Sequence, residues 1–120
     1  MKTIFVADDA ETNLLLAEEA LEDHYEVITA LSAEIMFELL DNLIPEIILL
    51  DIMMPGMNGL EALKRLKADA RYADIPVVFL TGGSSEETEA RGLELGIADI
   101  IGKPFSAPVL LERINKILEQ

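Results

Sequence analysis

Five short apolar runs, separated by stretches whose apolar residues recur at three-to-four spacing, constrain this chain more than any other feature. Ile4-Phe5-Val6-Ala7 opens the series, and Ile47-Ile48-Leu49-Leu50 is its most apolar member. Strands that alternate with helices build βα units, and so a parallel sheet covered by helices. The expected strands are 3–7, 25–30, 46–50, 77–80 and 98–101. A continuously apolar run such as 46–50 belongs at the centre, buried on both faces. The first helix is expected over 11–22, with Leu14, Leu15, Ala17, Glu18 and Leu21 as a partly apolar stripe at three-to-four spacing. Ser32 can cap the second helix, which should end before Ile44-Pro45, because a residue preceding proline avoids the α region. The third helix is expected over 60–69. The fourth is expected over 86–95, with Gly96 as its stop. Ser106 opens the last helix, whose buried face should comprise Val109, Leu110, Ile114, Ile117 and Leu118.

At 120 residues the chain has the size of one domain, 1–120, with no linker, repeat or low-complexity tract dividing it. It carries 23 acidic and 9 basic residues and a formal charge of −14. Phosphate affinity comes from Lys and Arg, so this balance argues against direct nucleic-acid binding. It argues equally against attraction to anionic lipid. No apolar run approaches the ~20 residues that a membrane span needs. Charge appears by Asp8, too early for a signal peptide. The absence of Cys rules out disulfides and thiolate metal sites, and fits a reducing, cytoplasmic setting.

Chemistry concentrates where the strands end. Asp8 and Asp9 close the first run, Asp51 the third, Thr81 the fourth, and Lys103-Pro104 follows the fifth. In an open parallel sheet these ends share one edge, the edge at which ligands bind. Each member has a plainer alternative. Asp8 and Asp9 can cap a helix, Thr81 can bond the Gly82-Gly83 turn, and Lys103 can be a surface residue. Asp51 resists such a reading, because an unpaired charge at the end of a buried strand is costly. Two carboxylates 4 Å apart repel by about 4 kcal/mol at an effective dielectric near 20. A hard cation with oxygen ligands, Mg²⁺ above all, relieves that repulsion and completes its shell with water and phosphate oxygens. Phosphoryl transfer needs charge neutralisation and positioning, and a carboxylate can serve as its nucleophile.

With these residues in place, the chain resembles the receiver domain of two-component response regulators, the CheY-like family. The resemblance rests on Ala7-Asp8-Asp9, on the run from Leu50-Asp51 to Asn58-Gly59, on Phe79-Leu80-Thr81-Gly82 and on Lys103-Pro104-Phe105. It implies a flavodoxin-like doubly wound five-stranded parallel sheet of order 2-1-3-4-5, with helices on both faces. It further implies that Asp51 accepts a phosphoryl group from the phosphohistidine of a sensor histidine kinase or phosphotransfer protein. Asp9, Asp51 and the Met53 carbonyl would ligate Mg²⁺, with Mn²⁺ as a substitute, and Asp8 would act through bound water. Thr81 and Lys103 would contact the phosphoryl group, assisted by the amides of Ile52 and Gly82. The domain would catalyse its own phosphorylation and dephosphorylation while serving mainly as a switch for an output domain or effector. A homodimer through the last helices is compatible with the resemblance.

Ile100 departs from the family pattern, which commonly has an aromatic or His three residues before the Lys. An aliphatic side chain cannot swing a ring between exposed and buried states, so a muted or differently routed switch is expected. Met53 stands where a polar side chain could orient a water, which suggests slow self-dephosphorylation. Met53, Met54 and Met57 read as loop and core packing, and His24 as a solvated loop residue. The closing run from Lys103 to Leu111 also resembles receivers attached to cyclic-dinucleotide enzymes.

Two rival functions share the fold. One is an interaction module that ignores phosphate, a reading opposed by the intact acids, Thr81 and Lys103. The other is an FMN carrier, opposed by the acidic loop Asp8-Asp9-Ala10-Glu11, which repels phosphate where such a carrier must cradle it. No Ser, Cys or His is placed as a hydrolase partner.

Overall fold

The computed structural model describes residues 1–119. Along the chain run β1 (Thr3–Ala7), α1 (Glu11–Leu21), β2 (Glu26–Ala30), α2 (Ala33–Leu40) and β3 (Ile47–Asp51). They are followed by α3 (Gly59–Ala68), β4 (Val77–Thr81), α4 (Glu86–Glu94), β5 (Asp99–Gly102) and α5 (Ala107–Leu118). The five strands form one parallel sheet of order β2-β1-β3-β4-β5. The expected architecture and strand order are therefore observed.

Strand pleating splits the core in two. Phe5, Ala7, Ile48, Leu50, Val77 and Phe79 face α2 and α3 and pack with Met36, Phe37, Leu63 and Leu66. Their neighbours Ile4, Val6, Ile47, Leu49, Val78 and Leu80 face the other way, onto Leu14, Ala17 and Leu21 of α1 and Leu110 and Ile114 of α5. β3 and β4 are thus buried at every position, and apolar up to their last residues Asp51 and Thr81, because each face meets a helix layer. Burying one such side chain contributes about 1.5–3 kcal/mol.

Several expectations needed correction. Leu15 is exposed, because α1 is held by Leu14, Ala17 and Leu21, leaving Leu15 outside the contact stripe. Val109 is exposed in the first turn of α5, ahead of the contact made by Leu110 and Ile114. The second helix does end before Ile44-Pro45, as expected: it stops at Leu40, and Leu43 and Ile44 lie exposed beyond it. Met53 also faces solvent, whereas Met54 is buried and Met57 packs against the core. Gly96 does end its helix, with φ of 92° that an L-residue rarely adopts.

Capping follows local chemistry. Ser32, Asn58, Ser85 and Ser106 each accept an amide hydrogen bond at the start of a helix, and Asn58 with Glu61 makes a full capping box. Among the described residues no helix is long and apolar enough to cross a membrane.

Candidate functional site at the carboxyl edge of the sheet

Register brings the functional side chains to one edge. Ala7 pairs with Leu50, Asp51 with Leu80 and Thr81 with Gly102, so Asp8 and Lys103 emerge one residue beyond paired positions. The ladder continues past the strand ends. The Asp8 N–H donates to the Ala30 carbonyl at 3.1 Å, and the Lys103 N–H to the Thr81 carbonyl at 2.6 Å.

Asp8, Asp9 and Asp51 each offer a carboxylate oxygen, and these oxygens lie within 4.8 Å of one another. Asp8 and Asp51 are buried, at 0% and 1% exposure, whereas Asp9 faces solvent. Two buried acids at this spacing require a cation. Lys103 Nζ lies 2.9 Å from Asp51 Oδ1 and 3.3 Å from Asp8 Oδ2. One ammonium against three carboxylates leaves the cluster negative. An all-oxygen donor set of this kind, open on the Asp9 side, fits a hard divalent ion.

Local bonds fix the acids. Asp8 Oδ1 accepts from the Ala10 N–H at 2.9 Å, and Asp8 Oδ2 from Asn13 Nδ2 at 3.2 Å. The Met53 N–H donates to Asp51 Oδ1 at 3.3 Å. Burial raises the Asp51 pKa above its ordinary value, the Lys103 hydrogen bond opposes that, and the Asp8 charge adds to it. For Lys103, burial pulls downward most strongly. Its bonds and charge contacts with Asp51 and Asp8 together outweigh it, and the net shift is upward.

Two sequence expectations meet a different geometry. The Ile52 N–H donates to the Leu80 carbonyl at 3.1 Å, so this amide belongs to the sheet. The amide beside the Asp51 carboxylate is that of Met53. Thr81 lies on the same edge, but its hydroxyl contacts Ser84 Oγ at 2.7 Å. Gly82 lies beside Lys103, where an added Cβ would sit 3.7 Å from Lys103 Cε. Ile100 pairs with Phe79 and packs, half-buried, against the core.

Asn13 and the pair Ser84 and Glu89 were missed by sequence reasoning. Asn13 lies five residues after Asp8, across the turn into α1, a separation with no regular spacing to mark it. Ser84 stands three residues after Thr81, a spacing at which hydroxyls meet across a turn.

A family model described as the response regulator receiver domain matches residues 4–115. This chain belongs to that family. The receiver is 37% identical over 117 residues to a probable cyclic di-GMP phosphodiesterase of Vibrio cholerae, covering 98% of this chain and 26% of that protein. It is 37% identical over 115 residues to the response regulator PleD of Caulobacter vibrioides, covering 95% and 25% respectively. The chain thus spans about a quarter of these relatives' length. Among solved structures, the V. cholerae chemotaxis protein CheY4 superposes with a TM-score of 0.91 at 27% identity, covering 98% of this receiver and 99% of that chain. Receivers are the phospho-acceptor modules of two-component signal transduction, and this chain is one of them. The family generally binds Mg²⁺, and the cluster of Asp8, Asp9 and Asp51 fits a metal site.

Proposed function

We propose that the whole chain, 1–120, is one receiver in which Asp51 is the phosphoryl acceptor. The observation that carries this reading is the buried Asp51 carboxylate, with Lys103 Nζ 2.9 Å from Oδ1 and two more acids within ligand range. One Asp51 oxygen attacks the phosphorus of a phosphohistidine. The new O–P bond forms as the P–N bond breaks, and the imidazole leaves with the electron pair and takes up a proton from solvent. Charge spreads over three equatorial oxygens in the transition state. Lys103 would neutralise one of them, the Thr81 hydroxyl would donate to another, and the Met53 and Gly82 amides would assist. Asp9, Asp51 and the Met53 carbonyl would hold Mg²⁺, or Mn²⁺ with the same oxygen preference, and Asp8 would act through bound water. The ion would supply charge neutralisation between the acids and the incoming anion.

The donor is a sensor histidine kinase or phosphotransfer protein in the cytoplasm, and the signal passes to an output domain or effector. Similarity to a probable cyclic di-GMP phosphodiesterase supports an output concerned with cyclic dinucleotides. Incubation with acetyl phosphate and Mg²⁺ followed by mass spectrometry tests the acceptor. One added phosphoryl mass is expected, lost in Asp51→Asn. No added mass would leave only a phosphate-independent interaction module.

A further inference from the structure

The Thr81 hydroxyl has one proton, and its surroundings fix where that proton points. Ser84 Oγ lies 2.9 Å from Glu89 Oε2. An ionised carboxylate only accepts, so the single Ser84 proton is spent on Glu89. The 2.7 Å contact between the Thr81 and Ser84 hydroxyls therefore has Thr81 as donor. The Thr81 oxygen in turn accepts from the N–H groups of Gly83 at 3.3 Å and Ser84 at 3.0 Å. Thr81 thus has no free proton for an anion at Asp51 while it holds Ser84.

We propose that Ser84 and Glu89 are positioning residues that hold Thr81 in a resting orientation and couple its release to α4. The inference rests on the reading that Thr81 donates to a phosphoryl oxygen. A ligand shifts a two-state element only through differential contacts. Here the phosphoryl oxygen and Ser84 compete for one proton. Glu89 strengthens the resting side, because its charge polarises the Ser84 hydroxyl and makes its oxygen a better acceptor. When Thr81 turns away, Ser84 keeps only Glu89, and the link from the sheet edge to the first turn of α4 is broken.

α4 is suited to respond. Gly92 is its one fully buried residue, so few apolar contacts resist a shift of its first turn. The route from Asp51 to the surface then runs through Thr81, Ser84 and Glu89. It needs no ring at Ile100, which stays packed as an aliphatic wedge beside Phe79.

Beryllofluoride, a phosphoryl mimic, tests this in the presence of Mg²⁺, with affinity and backbone amide shifts read by NMR. Ser84→Ala removes the competitor and should bind beryllofluoride about ten-fold more tightly, the effect of one charge-assisted hydrogen bond. The ligand-induced amide shifts across α4 should shrink, because the helix is already released. Glu89→Gln keeps an acceptor but not the charge and should fall between. Ser84→Thr, which retains the hydroxyl, should restore wild-type behaviour. Affinity for Mg²⁺ alone should be unchanged in all three variants. Equal beryllofluoride affinity in wild type and Ser84→Ala overturns the inference and leaves the acceptor reading standing. So does a parallel change in Mg²⁺ affinity, which would mark general distortion. Failure of the wild type to bind beryllofluoride overturns both.

Discussion

Lys103 Nζ and Asp51 Oδ1 stand 2.9 Å apart across two strand ends, with Asp8 sharing the same ammonium at 3.3 Å. Lys103 is therefore the internal counter-ion of two buried acids as well as a candidate phosphoryl contact. Lys103→Met should leave both carboxylates unpaired and lower stability by about 3 kcal/mol, as the loss of one partner of a buried ion pair does. Urea unfolding in EDTA reads the loss, and Mg²⁺ should recover part of it. An unchanged midpoint would show that the acids do not depend on the ammonium.

Asp51→Asn should act in the opposite direction. Burial raises the Asp51 pKa, so the folded state holds this proton more tightly than the unfolded chain. The sign follows from linkage. Ionised Asp51 costs the fold stability, and that cost appears as pH rises from below the ordinary carboxylate value through the raised one. In EDTA at neutral pH the variant should melt higher than the wild type. For a domain of this size 1 kcal/mol corresponds to about 4 °C. The gap should close below the ordinary carboxylate range, where both residues are neutral. A variant that melts lower at neutral pH would contradict the buried-charge account.

Mg²⁺ should raise the melting temperature, because only the folded chain brings Asp8, Asp9 and Asp51 within ligand range. At ten times the dissociation constant the gain is about 1.4 kcal/mol. Asp9 is exposed, so Asp9→Ala should change metal-free stability by less than ~0.5 kcal/mol. It should nevertheless remove most of the metal-dependent gain. Calorimetry with and without Mg²⁺ separates the two effects.

Gly59 opens α3 directly behind the acceptor. A Cβ there would lie 2.5 Å from the Asp51 carbonyl oxygen and 2.7 Å from Ile52 Cα, both backbone atoms with no room to yield. Gly59→Ala should displace the acceptor strand end and cost about 1–3 kcal/mol. Acetyl-phosphate labelling should slow in step. Normal labelling with normal stability would show that the loop can absorb the methyl group.

The order of apolar runs and helix-period segments, with acids, Thr81 and Lys103 at the run ends, was enough to give the architecture and the edge at which chemistry gathers. Strand interiors and serine caps are legible because pleat and capping are local. Leu15 and Val109 were misplaced because periodicity gives a stripe, whereas the neighbouring layer decides which stripe members touch it. The Ile52 amide was misassigned for a similar reason, since a strand hydrogen bond to Leu80 exists only once β3 and β4 are in register. The sharing of Lys103 between two acids was decided by tertiary structure alone, whereas the Asp8–Asn13 and Thr81–Ser84–Glu89 contacts join residues close in sequence and depend on how each loop turns into its helix. Residue type along the chain determines which groups can donate, accept or carry charge. Only packing brings residues 8, 51 and 103 close enough for those capacities to be spent on one another.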